Sequence, residues 1–192
     1  HGVEFNPEKA RALLAQAGFP GGKGFPRLEL MTTSREVQKT MAEAIQGMWK
    51  KHLGVHVDIR SCEWTAYKFA QNSMQYDFSS SSWSGDYLDP SSFLDLWSSA
   101  SGNNNTGWSR PEYERLLAES RATGDQEKRM ALLARAEALM LSESPVIPLY
   151  WARRSYLKRP EVWGWHPLLL DNHLFEDISL GAPREQGKEA AP

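Results

Sequence analysis

Apolar residues near the start of the chain recur three or four positions apart, which is the spacing of a helix with one buried face. Asn6 precedes Pro7 and an acidic residue, a combination typical of a helix N-terminus, and Gly18 supplies a stop signal. Residues 28–31 form a short apolar run after a turn rich in glycine and proline, and they predict a strand. The apolar positions of the predicted helix are Ala10, Leu13, Leu14 and Ala17.

The next stretch predicts a second helix and a second strand. Thr33 and Glu36 form a capping-box pattern, and apolar residues then repeat at helical spacing as far as Lys51, before Gly54. Residues 55–60 alternate between apolar and polar, which is the period of a strand with one buried face. A strand, a helix and a strand in this order usually give parallel strands joined by a right-handed crossover, so the sequence predicts an α/β fold.

A short helix, a strand and a long loop are predicted next. Residues 64–71 indicate the helix, and residues 76–83 indicate a strand whose middle is rich in serine. Residues 85–109 predict a long loop with one helical turn at residues 93–97, and four aromatic residues in this loop argue against disorder.

The following residues predict a helical hairpin. Ser109 and Glu112 form another capping box, and Asp125 is the predicted N-cap of a longer helix that passes through Met140.

The last part of the chain has weaker patterns. Residues 146–151 and 155–157 are β-like, and the stretch after Pro160 predicts irregular structure. Residues 181–192 are polar and small, and they predict a disordered tail.

Composition and motifs exclude several classes of function. The 192 residues include 24 acidic and 22 basic side chains mixed along the chain, so there is no basic stripe for a nucleic acid. No apolar run approaches the roughly 20 residues that cross a bilayer, so no direct membrane insertion is predicted. One cysteine and five unpatterned histidines predict no disulfide and no metal site, and there is no phosphate loop, dinucleotide fingerprint or nucleophile elbow. We therefore expect neither a cofactor nor a catalytic motif.

Two polar clusters in the long loop are candidates for binding or for turn formation. Asp86 and Asp89 flank Tyr87, and carboxylate pairs near aromatic residues occur in glycosidases, but composition alone favours turn capping for both side chains. The asparagine run from Asn103 to Asn105 offers amide donors and acceptors to a polar ligand, although asparagine also favours turns.

Four segments carry a family resemblance, namely NPEKARALLAQAG at 6–18, AEAIQGMWKKHLGV at 42–55, WSGDYLDP at 83–90 and PVIPLY at 145–150. Their order and spacing extend over residues 5–180, and residues 103–113 also fit. Taken in order, they resemble the C-terminal part of the oligopeptide- and dipeptide-binding proteins that serve ABC importers, extracellular solute-binding protein family 5.

This resemblance implies one lobe of a two-lobed, periplasmic-binding-protein-like (type II) fold. Residues 1–180 would form the lobe, with a final segment returning to a second lobe encoded before His1. It implies a non-catalytic, extracytoplasmic receptor, compatible with a lipid anchor in the full-length protein, that captures small peptides and delivers them to ABC permease subunits. In this family the Asp of the Trp-x-x-Asp-Tyr motif, here Asp86, pairs with the α-amino group of the ligand. The ligand-binding residues expected on this basis are Ser82, Trp83, Asp86, Tyr87, Asn103 and Asn104.

Other hypotheses stay open at this point. Relatives in the family also bind oligosaccharides, metal chelates and other solutes, so the ligand could belong to those classes. A carbohydrate-active enzyme would pair Asp86 with Asp89, Asp95 or Glu63. A third hypothesis is a domain that only makes structural or protein–protein contacts.

Overall fold

The computed structural model describes three stretches of the chain, namely residues 4–153, 155–168 and 170–181. They fall into two compact units. The first unit contains the residues up to Trp83 and Pro90–Pro148, and the second contains Ser84–Asp89 and the residues from Leu149 onward. Across these stretches, the helices are all too short or too polar to cross a bilayer.

Helix α1 (Pro7–Gln16) begins at the predicted residue. The Asn6 side chain accepts a hydrogen bond from the Lys9 backbone N–H at 2.9 Å, which confirms the predicted N-cap. The helix ends just before Gly18, which has a positive φ of 94°. This cap depends on neighbouring residues only, and for that reason the sequence alone could predict it.

Three parallel strands form the sheet of the first unit, in the order β2-β1-β3. The central strand β1 (Leu28–Thr33) lies between β2 (Val57–Cys62) and β3 (Phe78–Ser79). Helix α2 (Glu36–Leu53) connects β1 to β2, and helix α3 (Trp64–Asn72) connects β2 to β3. The predicted strand–helix–strand unit is confirmed, and with it the α/β fold class.

The two connecting helices pack on opposite faces of the sheet. Leu30 belongs to a cluster with Ile45 of α2, whereas Met31 packs against Tyr67 of α3. Adjacent strand residues point to opposite faces, so β1 is covered on both sides. Met31 and Thr32 are accordingly 0% exposed.

The two predicted capping boxes are wrong. Helix α2 has Arg35 as its N-cap, without a side-chain capping bond, because Thr33 still pairs with β2 as the last residue of β1. Helix α5 (Pro111–Ala122) has Arg110 as its N-cap, also without such a bond. Here the proline occupies the first helical position, one residue later than the pattern at Ser109 requires.

The helical hairpin is confirmed. Helix α4 (Ser91–Leu94) and a 3₁₀ turn (Asp95–Trp97) form the predicted helical turn of the long loop, and α5 packs against α6 (Gln126–Glu143). Asp125 accepts a hydrogen bond from the Lys128 N–H at 3.1 Å, as expected for an N-cap. The buried residues shared by these elements are Leu94, Tyr113, Leu116, Leu117, Leu132, Leu133, Ala136 and Met140.

The third strand is shorter than predicted. The pattern indicated a strand over residues 76–83, but only two residues pair with β1, followed by one bond from Ser80 N–H to the Met31 carbonyl at 2.9 Å. The next residues, Ser81 to Trp83, are exposed. Serine side chains bury little apolar surface, so they add little to hold this stretch in the sheet beyond Ser80.

The second unit contains one pair of short antiparallel strands in its described residues. Strand β4 (Val162–Trp163) pairs with β5 (Ser179–Leu180), and a 3₁₀ turn (Phe175–Asp177) precedes β5. The rest of the described stretch after Pro160 is irregular, as predicted.

The β-like predictions for residues 146–151 and 155–157 are wrong, because these residues are irregular. An apolar run becomes a strand only when a second strand pairs with it. Trp151 and Leu157 are instead 86% and 104% exposed. Gly181 is irregular, and the rest of the predicted disordered tail lies outside the described residues.

Candidate functional site

The carboxyl edge of the sheet is the place where its topology favours a ligand. In the chain, β1 is followed by α2 and then by β2. In the sheet, β2 lies on one side of β1 and β3 on the other. The connection from β1 runs to β2 on one side of it, and the next connection brings β3 to the other side, so the strand order reverses at β1. Open α/β sheets bind ligands in the crevice at such a switch point.

The segment that leaves this edge is anchored at Ser80. Its N–H donates to the Met31 carbonyl of β1, and its hydroxyl donates to the Gln38 Oε1 of α2 at 3.1 Å. Its carbonyl accepts a hydrogen bond from the Tyr67 hydroxyl of α3. The next residues include the predicted ligand contacts Ser82 and Trp83, which are exposed, Trp83 by 41%.

Two buried hydroxyls at the same edge were missed by the sequence analysis as candidate site residues. Thr32 and Thr33 end β1, and the Oγ1 atoms of both are buried with no hydrogen-bond partner among the described residues. A buried hydroxyl without a partner is costly. The capping-box pattern led to the prediction of Thr33 as a helix cap, and no sequence signal distinguished Thr32 from an ordinary strand residue.

Asp86 and Tyr87 belong to the second unit, in the Ser84–Asp89 segment that follows Trp83 in sequence. Both side chains are exposed, Tyr87 by 46%. The Asp89 N–H donates to the Tyr87 carbonyl at 2.9 Å, which makes a tight backbone turn at this point. The roles of Asp86 and Tyr87 as ligand contacts stay predictions.

Asn104 organises the long loop from inside. Its Oδ1 accepts hydrogen bonds from the N–H and the hydroxyl of Thr106, at 3.2 and 2.8 Å. Its Nδ2 donates to three backbone carbonyls, which use all of its donor capacity. The Asn104 amide is thus occupied within the loop, whereas the neighbouring Asn103 has an exposed side chain, and the ligand roles of both residues stay predictions. The three carbonyls are those of Trp97, Ser98 and Trp108.

A tyrosine ties the same loop to the approach of β3. The Tyr76 hydroxyl donates to the Asn105 carbonyl, and burial raises the pKa of Tyr76. The phenol therefore stays protonated and remains a donor at physiological pH. This hydrogen bond holds the asparagine run next to Tyr76, two residues before β3 begins.

The other carboxylates proposed for acid/base chemistry already have structural partners. Glu63 caps α3 by accepting a hydrogen bond from Thr65 N–H at 2.8 Å, and Asp95 binds Arg121 at 2.7 Å. Within the part of the chain that the structure describes, no three His, Cys, Asp or Glu side chains are grouped to hold a metal ion.

Comparison with known proteins places this chain among solute-binding proteins. The model of the family "Bacterial extracellular solute-binding proteins, family 5 Middle" matches residues 1–105. The chain is 34% identical to the oligopeptide-binding protein OppA of Bacillus subtilis over 152 residues, 79% of this chain and 28% of OppA. It is 35% identical to the probable deoxycholate-binding periplasmic protein YgiS of Escherichia coli over 156 residues, 81% of this chain and 29% of YgiS. The chain thus spans less than a third of the length of these relatives.

A solved structure gives the same answer. The periplasmic oligopeptide-binding protein OppAIV of Borrelia burgdorferi matches with a TM-score of 0.85 and 33% identity, over 94% of this chain and 37% of that one. This likeness confirms the predicted α/β fold of a periplasmic binding protein. The sheet, the order of the segments and the family model agree, and the chain belongs to family 5 of the bacterial extracellular solute-binding proteins.

Proposed function

We propose that this chain carries ligand-binding residues of the substrate-binding component of an ABC importer for peptides. The observation that carries the proposal is the position of residues 82–83, which leave β3 beside the end of β1 at the switch point of the sheet. The names of two relatives, both oligopeptide-binding proteins, supply the ligand class.

The chemistry of the loop suits a peptide with a free N-terminus. The Asp86 carboxylate binds the α-ammonium group through charge-assisted hydrogen bonds, which are shorter and stronger than neutral ones. Trp83 and Tyr87 provide aromatic surface, and Ser82 and Asn103 provide polar contacts. The peptide backbone pairs with protein backbone, so that its side chains are read loosely.

A second candidate is the same receptor with a different solute. YgiS, named as a deoxycholate-binding protein with the qualifier "probable", is as similar to this chain as the oligopeptide-binding relative. Deoxycholate is an anion without an ammonium group, and a carboxylate at Asp86 would repel it. The negative charge of Asp86 therefore favours the peptide.

The proposed role is capture and delivery without turnover. Two relatives carry the word periplasmic in their names, which supports an extracytoplasmic location for this chain. A substrate-binding component of this kind hands its ligand to ABC permease subunits, and these are the proposed protein partners.

Calorimetric titration of the intact protein with di- to pentapeptides tests the proposal. Each peptide is compared with its N-acetylated form, and the protein is compared with Asp86→Asn. Asp89→Asn is the matched control, because it removes the same charge three residues further along the same loop.

We expect acetylation and Asp86→Asn each to weaken binding about tenfold to a hundredfold, the range for a hydrogen bond between charged groups, while Asp89→Asn binds like the wild type. Equal affinity for free and acetylated peptides would contradict the role of Asp86. Binding of deoxycholate but of no peptide would replace the ligand class, and hydrolysis of a glycoside that Asp86→Asn abolishes would favour an enzyme.

A further inference from the structure

Tyr67 lies in the middle of α3, 2% exposed, and its hydroxyl reaches the strand next to the candidate site. It donates to the Ser80 carbonyl and lies 3.0 Å from the Ser79 Oγ. The Gln71 Nε2 donates to the same hydroxyl at 3.1 Å and to the Ser79 Oγ at 3.2 Å. Four buried or half-buried polar groups therefore meet at the exit of β3.

The direction of each hydrogen bond follows from the donors that are present. The Lys68 Nζ donates to the Gln71 Oε1 at 2.8 Å, so the amide must turn its Nε2 toward Tyr67. The phenol then accepts from Gln71, and its single proton goes to the Ser80 carbonyl. A phenylalanine at this position would leave that carbonyl and the Gln71 amide without this partner.

Backbone pairing holds the exit of β3 only weakly. The strand has two residues, and the Ser80 N–H makes its last bond to β1. Side chains from both faces of the sheet complete the anchorage: Gln38 of α2 binds the Ser80 hydroxyl, and Tyr67 of α3 binds its carbonyl. Without these bonds, the exposed residues that follow would sample more conformations before a ligand arrives.

We propose that Tyr67, oriented by Gln71, is a positioning residue that fixes the backbone from which Ser82 and Trp83 extend. This inference rests on the proposed function, because it assigns Tyr67 to the same ligand site. Tyr67 does not touch the ligand. It lowers the conformational entropy that ligand binding would otherwise have to remove.

The test is Tyr67→Phe in the intact protein, with Tyr113→Phe as the matched control. Both tyrosines are buried and both donate their hydroxyl to a backbone carbonyl, Tyr113 to that of Leu94 at 2.7 Å in the helical hairpin. The substitution keeps the ring and removes only the hydroxyl. Melting temperature, peptide affinity and the exchange of backbone amide hydrogens at residues 81–83 without ligand are measured for both variants.

We expect the melting temperature to fall by a similar amount in both variants. Only Tyr67→Phe should weaken peptide binding, by about fivefold to tenfold, and accelerate amide exchange at residues 81–83. Equal losses of affinity in the two variants, or wild-type affinity and exchange in Tyr67→Phe, would overturn the positioning role.

The two proposals fail separately. If the wild type binds no peptide, the proposed function is wrong, and the amide exchange still decides whether Tyr67 holds the segment. Faster exchange confined to residues 81–83 in Tyr67→Phe supports the inference in that case, and unchanged exchange refutes it. Gln71→Met removes the amide at nearly the same volume, and it should reproduce the exchange pattern of Tyr67→Phe.

Discussion

Two regions of the first unit place buried polar atoms in opposite situations. In the helical hairpin, the hydroxyls of Tyr113 and Ser120 are buried, and each donates to a backbone carbonyl, at 2.7 and 2.8 Å. At the carboxyl edge of the sheet, the hydroxyls of Thr32 and Thr33 are also buried, but neither has a partner among the described residues. These two hydroxyls of the hairpin are paired, and the two at the edge are not.

This difference separates a region whose buried hydroxyls contribute to stability from one whose buried hydroxyls reduce it. A region whose polar atoms are all paired and whose apolar atoms are packed contributes stability and offers nothing to bind. An edge with buried, unpaired hydroxyls is less stable, because each of them has lost its hydrogen bonds to water without gaining a partner. Substitutions in the two regions should therefore change the free energy of unfolding by different amounts or in different directions.

The largest effect is expected in the hairpin. Leu133 is 1% exposed within its core, so Leu133→Ala should lower the free energy of unfolding by about 2 to 5 kcal/mol, the range for a buried leucine. Chemical denaturation measures this loss, and titration well below the melting temperature should give unchanged peptide affinity. Leu157→Ala is the control, because Leu157 is fully exposed. A parallel loss of affinity in Leu133→Ala would break the separation between the two regions.

The neighbouring asparagines should differ in a similar way. Asn104→Ala removes five hydrogen bonds inside the long loop and should lower the free energy of unfolding by about 1 to 3 kcal/mol. Asn103→Ala removes an exposed amide and should change stability by less than about 0.5 kcal/mol. Denaturation of both variants checks the contrast. Similar stabilities of the two variants would show that the loop does not depend on the Asn104 amide.

A smaller effect is expected at Thr32. Thr32→Val replaces an unpaired buried hydroxyl with a methyl group of the same shape, so the free energy of unfolding should stay constant or rise by about 1 kcal/mol. Ser120→Ala removes a paired buried hydroxyl and should lower it by about 1 kcal/mol. The denaturation midpoints of both variants measure these changes. Destabilisation by Thr32→Val would mean that this hydroxyl has a partner in solution.

The smallest effect concerns pH and the end of α6. Hydrogen bonds from Arg110 and from the Trp108 indole lower the pKa of Glu143 below its ordinary value of 4.5. The ionised form is favoured in the folded state, so this stabilisation is complete above the ordinary pKa and disappears as the pH falls through the lowered one. In Glu143→Gln, the melting temperature should fall slightly less steeply than in the wild type as the pH drops below 4.5.

Glu119→Gln is the control for this titration, because the Glu119 carboxylate makes only a looser contact with Arg115, at 3.8 Å. If the melting temperature falls equally steeply with decreasing pH in the wild type and in Glu143→Gln, the ion pair at the helix end does not form in solution.

Local signals predicted the elements well, and contacts between elements explain the errors. The caps at Asn6 and Asp125 were predicted because a cap binds a backbone N–H three residues away. The cap at Thr33 was wrong because pairing with β2 keeps this residue extended. No local pattern records which strand lies next to β1, and so the sequence placed Thr33 in a helix cap instead of at the edge of the site.

For the candidate site, the sequence determined which residues follow β3, including the Trp83-x-x-Asp86-Tyr87 motif, because residue order is covalent. The order β2-β1-β3, the short length of β3 and the full use of the Asn104 amide were decided only in the tertiary structure. So was the hydrogen bond from Tyr67 to Ser80, thirteen residues apart. These features depend on which distant groups become neighbours when apolar surface is buried on both faces of β1, and a linear pattern does not contain that information.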